Sequence, residues 1–167
     1  FRDYNLSVAP LQFVLFALGI TAFILVFVSR PWSGSVISGI LALFWIWIGL
    51  VYHLVFFAPI NPLAFGFAGL SVAGAATFVW FGVYRRQLEF HWVAGARSML
   101  GLTLILFALF VYPLWTTWSG HGYPELPTFG LPCPTTLFTL GILAFLKAPY
   151  PRGPLVVPIL WSLIGGQ

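Results

Sequence analysis

The side chains best placed to do chemistry in this 167-residue sequence are His53, Glu125 and Cys133. An imidazole inside an apolar segment can ligate a metal, a haem or a pigment, or carry a proton, and an ionisable group there is read first as functional. Its ordinary alternative is a hydrogen bond to a nearby carbonyl at a helix end. Cys133 stands between Pro132 and Pro134. A thiolate there would suit a soft metal such as Cu(I), although a free cysteine is often no more than a small buried hydrophobe. Glu125 is either a ligand-facing carboxylate or a solvated loop charge. Tyr52 and Asn61 flank His53 on its two sides, and Thr135 and Thr136 follow Cys133 as ligand contacts or as helix caps.

These residues do not make a familiar catalytic set. The sequence has no paired carboxylates, no His-x-x-x-His, no nucleophile elbow and no phosphate loop. Acyl transfer by a cysteine, a histidine and a carboxylate would need all three to meet on one rim, which their spacing does not require. The expectation is a non-enzyme, with no catalytic residue, no metal site and no cofactor assigned.

Composition fixes what must position them. Hydrophobic residues make up 60% of the chain, charged residues 6% and aromatics 19%, with a mean hydropathy of +1.01. No soluble domain has that balance. About five or six spans fit, each needing about 20 apolar residues to cross a core about 30 Å thick. The seven basic residues are scattered over connections and form no stripe, which argues against nucleic acid despite the net charge of +4. A single cysteine excludes an internal disulfide. The chain opens at Phe1 without signal-peptide order, and the expectation is a longer protein around it.

In order, residues 1–7 read as a polar lead and 8–28 as the first span, stopped by the Pro/Gly turn of 29–34. Residues 36–57 form the second span and carry His53 in its last turns. The third, 63–83, repeats Gly66, Gly69, Ala73 and Ala76 at helical spacing, which marks a packing face and a central helix. Residues 84–92 read as a short interfacial helix. The fourth span is 99–118, with Pro113 as a kink. Pro132 and Pro134 delay the fifth helix to 134–147, roughly 21 Å long and too short to span alone. Residues 128–133 therefore approach it as extended chain, tolerable in a membrane only where protein or a polar cavity surrounds it. A sixth span begins at 155 and is left unfinished at 167. The whole is an all-α integral membrane bundle of about six helices.

Six spans alternate the connections between two sides. One side collects Arg30, Arg85, Arg86, Arg97, Lys147 and Arg152, and the other only Arg2. The positive-inside rule puts the arginine-rich side in the cytoplasm and both ends of this chain outside, periplasmic in a bacterium. Tyr4, Asn5, Tyr52, His53, Asn61, His121, Glu125, Cys133, Thr135 and Thr136 then share the outer side, where the start of the short helix offers free N–H groups.

Tyr4-Asn5 with Gln12, His53 with Ile60-Asn61, the stretch 129–136 (Phe-Gly-Leu-Pro-Cys-Pro-Thr-Thr) and the stretch 158–166 carry a resemblance to a bacterial membrane-protein family, domain of unknown function 6064. The resemblance covers nearly the whole chain, implies truncation at both ends, and brings no activity with it. Three roles are left. The first is an accessory subunit packed in lipid against other membrane subunits, which calls for a broad apolar surface and a filled interior. The second is a solute, ion or soft-metal carrier built on an outer vestibule, which calls for a continuous polar path. The third is a subunit binding haem or pigment through His53.

Overall fold

The computed structural model describes residues 1–28, 30–120 and 122–164, so His121 and the last three residues of the sixth span lie outside the described part. Four long helices, α1 (Arg2–Phe27), α2 (Ser33–Phe57), α3 (Ala64–Tyr84) and α4 (Ala96–Trp118), are each long and apolar enough to cross a membrane. The shortest has 21 residues, about 32 Å at 1.5 Å per residue, against a hydrocarbon core of about 30 Å. Two shorter apolar helices, α5 (Pro132–Leu143) and α6 (Gly153–Ile164), complete a bundle of six. No strand occurs among the described residues.

Several expectations are corrected. The polar lead is helical: α1 begins at Arg2 and turns Tyr4 and Asn5 inward, with Asp3 in the first turn where the helix dipole favours an acid. The segment 84–92 is not an interfacial helix. Tyr84 closes α3, the chain turns at Arg86 (φ +51°), and beyond it Phe90 bridges to Leu146 while the Lys147 N–H donates to the Glu89 carbonyl at 2.9 Å. Leu88 and Phe90 are buried under the bundle. Gly34 lies directly beneath the Leu88 carbonyl, where no side chain fits.

α5 starts two residues earlier than expected, at Pro132. The first four N–H groups of a helix have no partner within it, so prolines at its first and third positions remove nothing that the helix uses. It is also shorter, ending at Leu143. Nine of its 12 residues are buried, which makes α5 the enclosed helix instead of α3. Threonines and glycine suit it to that place. The Thr139 hydroxyl donates to the Thr135 carbonyl at 2.8 Å while accepting from the Trp45 indole N–H at 3.2 Å. Gly141 meets Gly101 of α4 backbone to backbone, so that an added Cβ on Gly141 would stand 2.9 Å from the Gly101 carbonyl.

On α3 the packing face is not the expected one. Gly66 and Gly69 have open space around them, and Ala73 and Ala76 are exposed with them. The buried set is Ala64, Ala68, Ser71, Ala75 and Phe78, the same heptad spacing displaced by two residues, or about 200° around the helix. Small residues occur on both faces, so spacing does not choose between them. The choice falls to the partner: Gly49 of α2 fits against the Ala68 carbonyl and Ser71. Gly74, beside that face, fits against Val157 of α6.

Three helices widen into π geometry, α2 over Ile48–Phe57, α3 over Val79–Tyr84 and α4 over Phe107–Val111. In the first, the Ala58 N–H reaches the His53 carbonyl five residues back, at 2.8 Å. Such widened turns are rare and gather at functional sites. In α4 the widened turn stands just before Pro113, whose missing N–H it accommodates.

Candidate functional site

The chain reaches α5 through a turn held by a polar clamp. Asn5 is fully buried in α1; its amide nitrogen donates to the carbonyls of Pro124 (2.6 Å) and Leu126 (2.7 Å). Its Oδ1 accepts from Gln12 (2.8 Å) and from the Thr128 hydroxyl (2.7 Å). Next to it the Trp47 N–H donates to the Tyr4 hydroxyl at 2.7 Å, which donates on to the Gly130 carbonyl at 3.2 Å. The approach to α5 is therefore a tight turn and not the extended run expected. Gly130 sits at φ +103°, and a Cβ there would fall 2.7 Å from Leu15. Phe129 is driven into the core, its ring 5.3 Å from those of both Phe44 and Phe138. Non-helical backbone is thus enclosed by protein, as its depth requires.

Beside this clamp lies a cavity of about 360 Å³. His53, Tyr52, Asn61 and Cys133 all line it, so four of the seven candidate residues do converge. Glu125 does not. Its carboxylate stands 3.6 Å from Arg2, both side chains well exposed, which is the solvated loop charge. Thr135 and Thr136 turn away from the cavity. The Thr135 hydroxyl accepts from the Gly130 N–H at 3.2 Å and so braces the turn, while Thr136 is buried with its hydroxyl unpartnered. Neither caps the first turn of α5. Asn61 accepts from the Leu63 N–H at 3.0 Å and stabilises the start of α3. Cys133 is exposed at the rim.

His53 is the singular residue. It is 1% exposed, and neither ring nitrogen has a hydrogen-bond partner. The rings of Tyr52, Phe57, Phe67 and Trp161 stand 5.1 to 6.0 Å from its own. The Trp161 indole N–H, 6% exposed on α6, is likewise unpartnered. Sequence reasoning missed Trp161 and Phe67. Trp161 is one of eight tryptophans, and nothing in the sequence sets it apart from those that face lipid. Among the described residues no group of three or more His, Cys, Asp and Glu side chains is placed to hold a metal.

The opposite end differs in kind. A larger cavity of about 570 Å³ opens there between Arg30, Arg86, Glu89, His91 and Lys147. Its charges are solvated: Lys147 and Glu89 pair at 3.1 Å, both more than half exposed. Arg97 donates to the Leu143 carbonyl at the end of α5 at 3.2 Å and lies over the Tyr150 ring. Among the described residues its lining holds no buried side-chain atom in need of a partner, so the smaller cavity is the candidate site.

No curated protein and no solved structure matches the chain. A family model does, from residue 1 to residue 167: the chain belongs to a family of unknown function, DUF6064.

Proposed function

We propose that the protein is a non-catalytic, multi-pass subunit of the bacterial inner membrane that works by packing and binding within a larger membrane assembly. The observation that carries this reading is the filled interior. Between the His53 cavity and the arginine-rich end stand Phe44, Trp45, Phe129, Phe138 and Ile105, all buried in one apolar cluster. A carrier needs a polar track through that layer. Outside, the long helices turn Phe13, Phe65, Trp80, Leu114 and Trp115 outward, an apolar surface suited to lipid or to another subunit.

The test is purification of the full-length protein from its native membrane in mild detergent, with mass analysis of the intact particle. Recovery with other subunits in fixed stoichiometry is the expected result; a lone monomer or homo-oligomer sinks the assembly reading. Orientation has its own reporter. With the arginine-rich end cytoplasmic, Cys133 at the other end reacts with a membrane-impermeant maleimide in intact spheroplasts, and Cys133→Ser removes the label. Labelling only after lysis reverses the orientation.

A further inference from the structure

The cavity beside His53 presents a specific set of unmet bonds. A neutral imidazole offers one donor and one acceptor, and an indole one donor. Both are buried and unpartnered here, although buried polar groups are almost always hydrogen-bonded. Their ring centroids are 5.1 Å apart, and both residues line the same wall of the cavity. The rest of the wall is mostly aromatic or apolar, Phe57, Phe67, Tyr112 and Leu131 among it, with Asn61 and Cys133 as further polar side chains. Among the described residues no Lys, Arg, Asp or Glu side chain lines the cavity, which disfavours a charged ligand. The volume of about 360 Å³ lies at the low end for small-molecule sites, which suits a single ring and not a macrocycle. The widened last turns of α2 carry His53 to the wall of this cavity.

We propose that this cavity binds the ring of a neutral, membrane-soluble molecule of the quinone–quinol class, with the Trp161 indole and the His53 imidazole holding one of its oxygens. A quinone carbonyl has two lone pairs to accept both N–H groups. A quinol hydroxyl can instead donate to the bare imidazole nitrogen and accept from the indole. Tyr52, Phe57 and Phe67 supply faces and edges for the ring, and the apolar tail leaves toward lipid. The proposal concerns binding alone and goes beyond the assembly reading, since it is tested on the isolated chain.

The experiment uses the full-length protein in mild detergent and decylubiquinone, whose fully substituted ring has no C–H position for addition of the Cys133 thiol. Binding is measured by calorimetric titration, and by the ligand-induced rise in the thermal unfolding midpoint. The expected result is saturable one-to-one binding, weakened about tenfold (~1.4 kcal/mol) by Trp161→Phe and at least as much by His53→Leu. Trp161→Phe keeps the aromatic bulk and removes only the N–H with part of the ring, so it reads the hydrogen bond even if His53→Leu fails to fold. Decylubiquinone should also shield Cys133 from maleimide in the wild type and not in Trp161→Phe. Absence of saturable binding, or binding unchanged by Trp161→Phe, overturns the proposal and leaves the assembly reading standing. Conversely, a quinone-binding chain that purifies alone keeps the site and removes the assembly.

Discussion

Two buried polar clusters lie side by side at one end of the bundle, and they are built to opposite rules. Around Asn5, both amide hydrogens and the side-chain oxygen are engaged with Gln12, Thr128 and the carbonyls of Pro124 and Leu126. Around His53, both ring nitrogens and the neighbouring Trp161 N–H have no partner. A network completed from within the chain specifies structure. One left open stores an unmet demand, which a ligand can satisfy. The contrast separates residues that hold the fold from residues that await something.

The largest effect should come from breaking the completed cluster. Asn5→Leu strands two loop carbonyls together with Gln12 and Thr128, and should cost ~3–5 kcal/mol, seen as a large fall in the unfolding midpoint in detergent. A loss below ~1 kcal/mol would erase the contrast. Gly130→Ala, forced to keep φ +103° against Leu15, should cost ~1–3 kcal/mol by the same measurement.

At the open cluster the sign should change. His53→Leu replaces an unpartnered imidazole by an apolar side chain, so without ligand the protein should be as stable as the wild type or more so by up to ~2 kcal/mol. A marked destabilisation would make His53 a structural residue. Smaller still, Gly66→Ala and Gly69→Ala on the open face of α3 should each add ~0.5–1 kcal/mol through helix propensity, where the same change at Gly141, pressed on Gly101 and Ile105, should destabilise. Glu125→Gln should move stability by no more than ~0.5 kcal/mol, because its ion pair with Arg2 is exposed.

Much of this plan was legible from composition. Long apolar runs interrupted by prolines and arginines are the direct expression of helices in a membrane, and six helices follow from them. The short fifth helix and its enclosed approach were legible from Pro132 and Pro134, because helix length and backbone satisfaction are local constraints. What stayed hidden depends on partners distant in sequence. Nothing near Gly66 reveals that Gly49 will instead select the face of Ala68 and Ser71. Leu88 and Phe90 sit in the most charged stretch, and only a pairing with Leu146 and Phe145 makes them buried strand-like residues. Within the site, His53 and Cys133 were found by their chemistry alone. Glu125 was misplaced for the same reason, since a rare residue type attracts attention wherever it stands. Trp161, which completes the pair of unmet donors, was masked by the abundance of tryptophan.

The clamp on the turn before α5 also bears on how the chain is made. Its bonds join Tyr4, Asn5 and Gln12 to residues 116 to 126 positions later. Synthesis at about 5–20 residues per second places that partner on the order of ten seconds behind α1. Through that interval Gln12 and Asn5 can pair with each other within the first helix, while the Asn5 amide hydrogens and the Tyr4 hydroxyl lack their carbonyl acceptors. This end of the bundle therefore closes only when the fifth helix and its approach arrive.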